Sequence, residues 1–433
     1  MSEIGYNVKL FLLGAKSYSP DHSVNIKRLE LQGYISPIYI NSINDLPLIT
    51  KGSVIIDSLF GSGLSRPLAG MVVSIVSHIN ASSAHVISID IPSGLFGEDN
   101  PFSNTNPVVK ANCTLSLQFP KLSFFFPENH PYVGTWYALD IGLHPRVITE
   151  TRTPYRFINK RLVQTLRKYP AKFDHKGTKG HSLIIAGSKG MFGAAVLNAC
   201  ACLKAGAGLI TVHVPRLGQE IIHQSVPEAL VQTDDNDNYF TSVSDLAKYS
   251  AIGVGSGLGQ NSKTIKGFSD LVSSVKCPLV IDADGLNILS QSPELFYKLP
   301  KNTVITPHIG EFNRLFGNSE NGYSRLMLAI RKAVEYKIVI VIKGSHTQIT
   351  TPDGSVYINS TGNPGMATAG AGDALTGMVV SLLGQGYSSV DASILGVYLH
   401  GLAGDFASKQ ISEESISATD IINNIGQAFN DLS

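Results

Sequence analysis

The feature that most constrains the fold is a series of short apolar runs, each entering a turn of glycine and polar residues. In the last two-thirds of the chain these runs read IIAG, IGVG, VIDAD, VITP and VIVIKG, and stretches of helical length separate them. Strands that are buried on both faces read as continuous apolar segments rich in valine and isoleucine. The alternation of such strands with helices predicts a parallel sheet covered by helices on both faces.

The first third of the chain shows the same alternation on a smaller scale. Its apolar runs are VKLFLL, SPIYI, SVIIDSLF and HVISIDIPSG, followed by CTLSLQF and WYALDIGL. Residues 146–160 have no clear period, and we interpret them as a linker. A chain of 433 residues is long enough for two or three cores. We therefore predict two tandem three-layer α/β domains, residues 1–148 and residues 155–433.

The composition excludes several classes of protein. Its 34 Lys and Arg residues balance 33 Asp and Glu residues, so no broad basic field is available to nucleic acid or an anionic membrane. The four cysteines form no C-x-x-C pair and are too sparse for a disulfide framework, which favours a cytoplasmic protein with free thiols. No apolar run approaches the roughly 18 residues of a membrane span. Neither a G-K-S/T loop nor an H-E-x-x-H helix is present.

The turns at the strand ends predict where a ligand binds. The carboxyl ends of parallel strands meet at one edge of the sheet, and ligands bind outside that edge. Backbone N–H groups in glycine-rich turns are suited to hold phosphate there. Five such turns in sequence therefore predict one shared, phosphate-tolerant cleft. The turns begin at Ser188, Ser256, Gly285, His308 and Ser345.

The most specific of the glycine-rich segments is NPGMATAGAGDAL, residues 363–375. Gly370 and Gly372 leave room for a phosphate, and the helix that starts near Asp373 directs free N–H groups at that position. Asp373 is placed to take a proton from a hydroxyl that attacks a phosphoryl group. The alternative is that Asp373 is a simple helix N-cap, a position that aspartate favours.

From about Lys176 to Ala407 the chain resembles the NAD(P)H-hydrate dehydratase family, whose fold is ribokinase-like. The matching stretches, in the family's order, are KGTKGHSLIIAGSKGMFGAAVLNACACLKAGAGLITV, VGSGLG, VIDADGLNIL, TPHIGEFNRL, KGSHTQI and NPGMATAGAGDALTGM. The resemblance implies repair of hydrated NADH and NADPH, called NADHX and NADPHX. ADP, with Mg²⁺, would phosphorylate the C6 hydroxyl of the (S) epimer, and loss of phosphate would give NAD(P)H and AMP.

The resemblance also implies roles for individual residues, with Asp373 as the catalytic base. The residues expected to contact the substrate are Ala194, Gly259, His308 and Asp373. The residues expected to line the ADP site are Lys343, Gly344, Ser345, His346, Thr347 and Gly372. The sequence departs from the family at residues 369–372, which read AGAG where a glycine-serine pair is usual. Loss of a serine hydroxyl spares the backbone donors, so activity is expected to survive.

Several of these roles have plainer structural alternatives. Lys343 at a strand end could be a solvated lysine, and His308 could hydrogen-bond its own turn. Ala194 could serve close packing of its helix. Asp282 and Asp284 could orient the site or water-bound Mg²⁺, or could be turn and cap residues.

The first third of the chain resembles the NAD(P)H-hydrate epimerase family, a Rossmann-like domain that precedes the dehydratase in many bacteria. The resemblance rests on DSLFGSGLSRPL, residues 57–68, and SIDIPSGL, residues 88–95. It implies that Asp57 and Ser93 help to hold a potassium ion. The residues expected to contact the hydrated cofactor are Gly61, Ser62, Gly63, Leu64, Ser65, Arg66, Pro67 and Asp90.

The epimerase family also uses an asparagine- and glycine-rich phosphate loop of the N-N-G-G-D-G type, and this sequence contains none. We therefore interpret the Rossmann-like domain as incomplete. Epimerisation of (R)- to (S)-NAD(P)HX is expected to be absent or severely reduced. The resemblance further implies a homo-oligomer.

Two other functions compete with dehydration. One is a ribokinase-like kinase of a small vitamin-precursor alcohol, which would use the same G-x-G-D turn and release a phosphorylated alcohol. The other is a nucleotide-binding interaction protein without catalysis. The intact Asp373 disfavours this second alternative, because a protein that only binds needs no base there.

Overall fold

The computed structural model describes residues 4–14, 18–101 and 106–433. The chain separates into two compact units, Met1–Glu150 and Thr151–Ser433. Within the described residues, no helix combines the length and the apolar character needed to cross a lipid bilayer.

The first unit contains two parallel sheets. One pairs β1 with β2, and the other has the order β3-β4-β5-β6. All of its strand pairs are parallel, as the sequence predicts. The elements are β1 (Phe11–Leu13), α1 (Pro20–Gln32), β2 (Ile38–Ile40), β3 (Val54–Asp57), α2 (Met71–Ala81), β4 (His85–Ile89), β5 (Cys113–Leu117), α3 (His130–Val133), β6 (Thr135–Leu139) and α4 (Pro145–Glu150).

The four-stranded sheet has two chemically different faces. Val86 of β4 is buried in one core cluster with Val76 of α2 and Ile40 of β2, so the two sheets share this core. On the opposite face, Val54 and Ile56 of β3 are exposed. Strand β3 therefore carries apolar side chains that the described part of this unit does not bury.

The second unit is built on a ten-stranded sheet of order β10-β9-β8-β11-β12-β13-β14-β15-β16-β7. The seven strands from β10 to β14 are parallel, and β15 is antiparallel to both of its neighbours. The strands are β7 (Tyr155–Phe157), β8 (His181–Ile185), β9 (Leu209–Val214), β10 (Leu230–Thr233), β11 (Ala251–Val254), β12 (Leu279–Ile281), β13 (Val304–Ile305), β14 (Val339–Ile342), β15 (Gln348–Thr350) and β16 (Val356–Ile358). The helices are α5 (Lys160–Leu166), α6 (Phe192–Lys204), α7 (Gln219–Ser225), α8 (Ser262–Ser274), α9 (Ala283–Gln291), α10 (Ile309–Phe316), α11 (Gly322–Tyr336), α12 (Ala371–Gly384), α13 (Ser389–Ser408) and α14 (Ala418–Asp431).

Helices cover both faces of this sheet, because successive residues of each strand point to opposite sides. In β8, Ile184 joins a core formed with α6, α12, α13 and α14. Its neighbour Leu183 joins a second core formed with α8, α9, α10 and α11. The predicted parallel sheet buried on both faces is therefore confirmed for this unit.

The segment of residues 146–160, interpreted from the sequence as a linker, contains regular structure and the boundary between the two units. Helix α4 ends at Glu150, and Tyr155–Phe157 forms β7, which pairs in parallel with β16. A strand of three residues is too short to show an alternating pattern, which is why the sequence did not reveal it.

Candidate functional site

The strand order of the second unit marks the position of the site. From β8 the chain adds β9 and β10 on one side of that strand, then returns to place β11 on its other side. Such a reversal leaves a crevice at the carboxyl ends of the two central strands. The turns after β8 and β11 meet there, since Gly187 donates its N–H to the carbonyl of Ser256 at 2.8 Å. Ser188 Oγ also donates to the carbonyl of Gly257 at 2.8 Å.

The first turn of α12 forms one wall of the crevice. Gly370 precedes this helix with φ of 86°, and a Cβ atom at this position would collide with Leu197. The left-handed backbone therefore favours glycine here, and a larger residue would also displace the end of the Leu197 side chain. A Cβ atom on Gly372 would lie 3.3 Å from Lys343 Nζ and 3.7 Å from Asp282 Oδ2. The glycine-rich turn therefore lies directly beside these two charged side chains.

Asp373 lies in the first turn of α12. Burial raises the pKa of Asp373 to about 6, and the negative charge of Asp282 contributes to this rise. The Ser256 hydroxyl and the Lys343 ammonium act in the opposite direction. A carboxyl with this pKa is ionised at neutral pH and still basic enough to accept a proton. Asp373 therefore has the properties of a general base as well as the position of a residue at a helix start.

Lys343 follows β14 and lies among three carboxylates. Its Nζ atom is 2.7 Å from Asp282 Oδ1 and 3.9 Å from Glu311 Oε2. Burial opposes its charge, but the carboxylates of Asp282, Glu311 and Asp373 outweigh burial and raise the pKa of Lys343. The alternative of a solvated lysine is excluded, since only 20% of its side chain is exposed.

Asp282, at the end of β12, holds Lys343 in place. Thr376 of α12 donates from its hydroxyl to Asp282 Oδ2 at 2.9 Å, while Lys343 occupies Oδ1. Asp284 has a different task, because its Oδ2 accepts the N–H of Gly259 at 2.8 Å. Of the two strand-end aspartates, one thus binds the lysine and the other fixes the turn after β11.

His308 caps α10. Its Nδ1 accepts the N–H of Gly310 at 2.9 Å, and Glu311 Oε2 accepts the N–H of His308 at 2.8 Å. This reciprocal arrangement is a capping box with histidine in the first position. The plainer alternative for His308 is therefore correct as far as Nδ1 is concerned. The ring remains 55% exposed, and its Nε2 lies 3.6 Å from Glu311 Oε1.

The other residues predicted to bind the substrate lie near the β8 and β11 ends. Ala194 is in the first turn of α6, and its Cβ atom would be 3.1 Å from a Cβ atom placed on Gly257. Gly259 has φ of 72°, and a Cβ atom there would make ordinary van der Waals contacts at 3.9 Å with Met191 and Ser188. Small residues at these positions keep the turns close together while leaving the crevice open.

Residues 344–347, predicted to bind ADP, form the hairpin turn between β14 and β15. Thr347 Oγ1 donates to the carbonyl of Gly344 at 3.1 Å, which closes the turn. Gly344 and Ser345 are exposed, and His346 is partly buried. The turn follows directly from Lys343, so it lies at the same edge of the sheet.

The first unit gathers its predicted residues at the ends of β3 and β4. Ser88 and Ser93 surround Asp57, which accepts hydrogen bonds from both hydroxyls and from two backbone N–H groups. Asp90 adopts φ of 70° and accepts the N–H of Ser62 at 2.9 Å. The remaining residues of this turn, Gly63 to Pro67, are exposed apart from the half-buried Leu64.

Asp90 also binds a lysine that the sequence did not reveal. Lys121 Nζ lies 2.7 Å from Asp90 Oδ1. Burial tends to raise the pKa of Asp90, but Lys121 and the Ser62 N–H prevail and hold it below its usual value. Asp90 is thus an anionic group with a fixed cation beside it.

In the second unit, sequence reasoning assigned no role to Glu311 or Thr376, and named Ser256 only as the start of a turn. Glu311 had a usable signal, because a capping residue followed three positions later by Glu indicates a capping box. Thr376 is one helical turn after Gly372, which places both on the same side of α12.

Known protein families match both units of the chain. The NAD(P)H-hydrate dehydratase family matches residues 182–427, and the family described as YjeF-related protein N-terminus matches residues 1–123. The bifunctional NAD(P)H-hydrate repair enzyme Nnr of Thermofilum pendens is 35% identical over 450 aligned positions, covering 100% of this chain and 84% of that protein. The enzyme of the same name from Moorella thermoacetica is 33% identical, covering 96% of this chain and 81% of that protein.

Solved structures resemble the second unit. The ADP/ATP-dependent NAD(P)H-hydrate dehydratase of Bacillus subtilis, co-crystallised with ATP and Mg²⁺, is 27% identical with a TM-score of 0.56. The match covers 64% of this chain and 98% of that one. A ribokinase-like superfamily protein of Enterococcus faecalis is 25% identical with a TM-score of 0.58, covering 65% of this chain and 98% of the other. Taken with the two family matches, these similarities show that the chain belongs to the bifunctional NAD(P)H-hydrate repair enzymes, with an epimerase domain followed by a ribokinase-like dehydratase domain.

Proposed function

We propose that the second unit dehydrates (S)-NADHX and (S)-NADPHX at the expense of ADP, giving NAD(P)H, AMP and phosphate. The observation that carries this proposal is Asp373, a partly buried carboxyl with a pKa of about 6 at the start of α12, beside Lys343. The ADP/ATP dependence of the Bacillus subtilis relative supports the use of a nucleotide.

In this mechanism, Asp373 accepts the proton of the C6 hydroxyl as the hydroxyl oxygen attacks the β-phosphorus of ADP. The new O–P bond forms while the bond from that phosphorus to the AMP oxygen breaks, and AMP leaves. Phosphate then departs from C6 with the C–O electron pair, assisted by the ring nitrogen, and loss of a C5 proton restores the double bond. Phosphate is a much better leaving group than hydroxide, which explains the expenditure of a phosphoryl group.

The residues around Asp373 stabilise the charge that develops on phosphorus. The first turn of α12 directs N–H groups toward the phosphoryl position, with Gly372 as the predicted donor. Lys343 donates to Asp282, which also accepts the Thr376 hydroxyl, and it supplies a fixed positive charge at the same place. Residues 344–347 continue from Lys343 and are proposed to line the rest of the ADP site.

Mg²⁺ would enter on the nucleotide. Among the described residues, no group of three or more His, Cys, Asp or Glu side chains is placed to hold a metal ion. Asp282 is occupied by Lys343 and Thr376. Mg²⁺ commonly binds substrate phosphates and keeps several waters, so this arrangement suits it. It would neutralise phosphate charge there, while the protein side chains position the substrate and move the proton.

For the substrate, we propose contacts from Ala194, Gly259 and His308 at the open side of the crevice. His308 uses Nδ1 within the capping box, so its Nε2 edge is the part that can reach a ligand. Ala194 and Gly259 have no side chain that forms hydrogen bonds. Their small size would instead allow the substrate to approach the backbone closely.

A direct assay tests the dehydratase. The purified chain is mixed with both epimers of NADHX, Mg²⁺ and either ADP or ATP, and the near-ultraviolet absorbance of NADH is followed. Return of about half of the signal with ADP is expected, and Asp373→Asn should abolish it. No return with either nucleotide, from folded protein, would overturn the proposal. Accumulation of a phosphorylated alcohol from vitamin precursors would then favour the kinase alternative.

The epimerase domain is present, and its activity in this chain is a separate proposal. We infer slow or absent epimerisation, because the sequence contains no N-N-G-G-D-G loop. Rapid return of the whole NADH signal in the same assay would contradict this. The residues proposed to contact the cofactor are those of the turn from Gly61 to Pro67, together with Asp90.

We propose Asp57 and Ser93 as potassium ligands only if the hydrogen bonds around Asp57 can rearrange. The two carboxylate oxygens of Asp57 already accept four hydrogen bonds, including one from Ser93 Oγ at 2.6 Å. A potassium ion would have to replace at least one of these donors, so we derive no step through it. A homo-oligomeric state and a cytoplasmic location are further expectations, testable by light scattering on the purified chain and by cell fractionation.

A further inference from the structure

Arg314 is directed toward the crevice by its position in α10. It lies four residues after Gly310, one helical turn further along the same face of the helix. Side chains of a helix point back toward its N-terminus, and the N-terminus of α10 follows the carboxyl end of β13, at the crevice. A Cβ atom on Gly310 would lie 2.8 Å from His308 Cε1 and 3.7 Å from Arg314 Nη1. The guanidinium and the His308 ring therefore flank the same glycine at the start of α10.

Asn287 of α9 holds the guanidinium in this position. Arg314 Nε donates to Asn287 Oδ1 at 3.0 Å, and Asn287 Nδ2 donates to Asp284 Oδ1 at 3.3 Å. Arginine can only donate and an ionised carboxylate can only accept, so both neighbours require the same orientation of the amide. The other oxygen of Asp284 accepts the N–H of Gly259 at 2.8 Å. A continuous series of hydrogen bonds thus joins Arg314 to the turn after β11, where the substrate is proposed to bind.

This arrangement leaves the outer edge of the guanidinium available. Nε is engaged by Asn287, but within the described residues Nη1 and Nη2 form no hydrogen bond or ion pair. Asn287 lies between Arg314 and Asp284, so the carboxylate orients the arginine without occupying these two nitrogens. Arg314 is also exposed. A guanidinium with both terminal nitrogens free is suited to bind a phosphate group through two parallel hydrogen bonds.

Two neighbouring basic side chains do not supply a free cation here. Lys343 Nζ is bound to Asp282 at 2.7 Å and is proposed to act on ADP. His308 Nδ1 accepts the N–H of Gly310, so this nitrogen carries no proton and the ring is neutral. Arg314 is therefore a positive group beside the proposed substrate contacts that is engaged neither by a carboxylate nor by the nucleotide.

We propose that Arg314 binds a phosphate group of the hydrated dinucleotide and that Asn287 positions the guanidinium for this contact. The inference rests on the proposed function, which makes NADHX and NADPHX the substrates. Both carry a pyrophosphate, and NADPHX carries a further phosphate on the adenosine ribose. Neither group reacts, so the contact is equal in the ground state and the transition state. Such a contact lowers KM and leaves kcat unchanged.

The experiment measures kcat and the KM values for NADHX, NADPHX and ADP in wild type, Arg314→Gln and Arg314→Lys. Arg314→Gln should raise KM for the hydrated substrate about 10-fold with kcat unchanged, which is the contribution of one hydrogen bond to a charged group. Arg314→Lys should recover part of this loss, because it keeps the charge without the paired donors. High salt should raise KM more in wild type than in Arg314→Gln, since the contact is exposed to solvent. KM for ADP should stay as in wild type.

Comparison of the two substrates identifies the phosphate group. An equal rise in KM for both assigns Arg314 to the pyrophosphate, and a rise for NADPHX alone assigns it to the phosphate on the ribose. Either result supports the proposal. Unchanged KM values for both substrates, or a rise in KM for ADP in their place, would overturn it.

Arg331→Gln is the matched control. Arg331 is also an exposed arginine, but it lies in the second half of α11, whose end leads into the start of β14 at the opposite edge of the sheet. This variant should leave all three KM values unchanged, and a rise equal to that of Arg314→Gln would overturn the assignment. Asn287→Ala should raise KM less than Arg314→Gln and should add nothing in the Arg314→Gln background, because the amide acts through the arginine. Equal effects of Asn287→Ala in both backgrounds would overturn its positioning role.

Binding without turnover separates this inference from the proposed function. (S)-NADPHX is titrated into each protein in a calorimeter with no nucleotide present. Weaker binding to Arg314→Gln than to wild type supports the assignment even if the chain proves inactive as a dehydratase. Equal affinities would overturn it. Absence of binding to the wild-type chain would overturn the proposed function together with this inference.

Discussion

The ammonium nitrogen of Lys343 lies 2.7 Å from Oδ1 of Asp282, and the same aspartate accepts the hydroxyl of Thr376 through its other oxygen. This arrangement connects the end of β14, the end of β12 and the first turns of α12. Lys343 is thus a fixed cation in contact with the backbone that is proposed to hold the phosphoryl group. Its position also opposes the rise in the pKa of Asp373.

Lys343→Gln should therefore affect both catalysis and its pH dependence. Removal of a fixed positive charge at a developing phosphate typically costs about 10²–10³-fold in kcat. Since Lys343 lowers the pKa of Asp373, its loss should also move the acid limb of the pH profile above pH 6. The profile of kcat against pH for both proteins tests this.

The matched control is Lys332→Gln. Lys332 also binds a carboxylate, Glu335, at 2.8 Å, but both residues belong to α11 and neither acts on Asp373. Lys332→Gln should therefore leave kcat and the acid limb unchanged. If Lys332→Gln shifts the acid limb as far as Lys343→Gln does, the shift does not depend on the position of Lys343 beside Asp373.

The sequence predicted Lys343, Asp282 and Asp373 as members of one edge, because strand ends in a parallel sheet converge. It could not predict which of them touch. Pairing of Lys343 with Asp282 depends on the register of β12, β13 and β14, which no local pattern encodes. The same limit explains why β7 was not recognised within the segment interpreted as a linker, since its partner β16 lies about 200 residues further along the chain.

Asp373→Asn should stabilise the protein while abolishing dehydration. The folded-state pKa of Asp373, about 6, lies above its usual 3.8. As pH rises from about 4 to 6, the unfolded chain loses this proton before the folded one, so the folded state loses stability. The penalty is complete above pH 6 and amounts to about 3 kcal/mol.

Urea unfolding followed by circular dichroism at about pH 5 and about pH 8 measures this difference. The gain in the free energy of unfolding from Asp373→Asn should be larger at the higher pH. An equal gain at both pH values would show that Asp373 titrates normally. A stability lower than wild type at high pH would contradict the expected burial penalty.

Gly255→Ala should damage the second unit severely. Gly255 has φ of 134°, a region that other residues rarely adopt, and a Cβ atom would collide with the carbonyl oxygen of Asp282. The expected loss in the free energy of unfolding exceeds about 3 kcal/mol, because strain and collision act together. Dehydratase activity should fall even where the protein remains folded, since Asp282 must move and carries Lys343 with it.

Gly426→Ala provides the contrast. Gly426 lies within α14, and a Cβ atom there meets nothing within 4 Å. Alanine in a helix interior is more favourable than glycine by about 0.5–1 kcal/mol, so this variant should be slightly more stable. Thermal unfolding of the two variants side by side tests the claim, and similar melting temperatures would show that the backbone of Gly255 is not constrained as described.

Asp57→Asn tests the first unit. Asp57 is 1% exposed, and its carboxylate accepts from Ser88, from the hydroxyl and N–H of Ser93, and from the N–H of Leu59. An amide NH₂ group must face at least one of these donors. Each carboxylate oxygen accepts one backbone N–H, from Leu59 at Oδ1 and from Ser93 at Oδ2. The serine hydroxyls can rotate to accept from the new NH₂ group, but a backbone N–H cannot. Whichever way the amide is placed, one backbone N–H is therefore left unpaired. The expected loss in the free energy of unfolding is about 1–3 kcal/mol.

The chain has one tryptophan, Trp136 in β6, so its fluorescence reports unfolding of the first unit. The Trp136 transition should move to lower urea concentration in Asp57→Asn, while the unfolding of the second unit and the dehydratase activity stay as in wild type. Ser88→Ala, which removes one hydroxyl donor and leaves the carboxylate, should shift the Trp136 transition less. If both variants shift it equally, the carboxylate is not the centre of this network, and the connection between the ends of β3 and β4 must rest on other contacts.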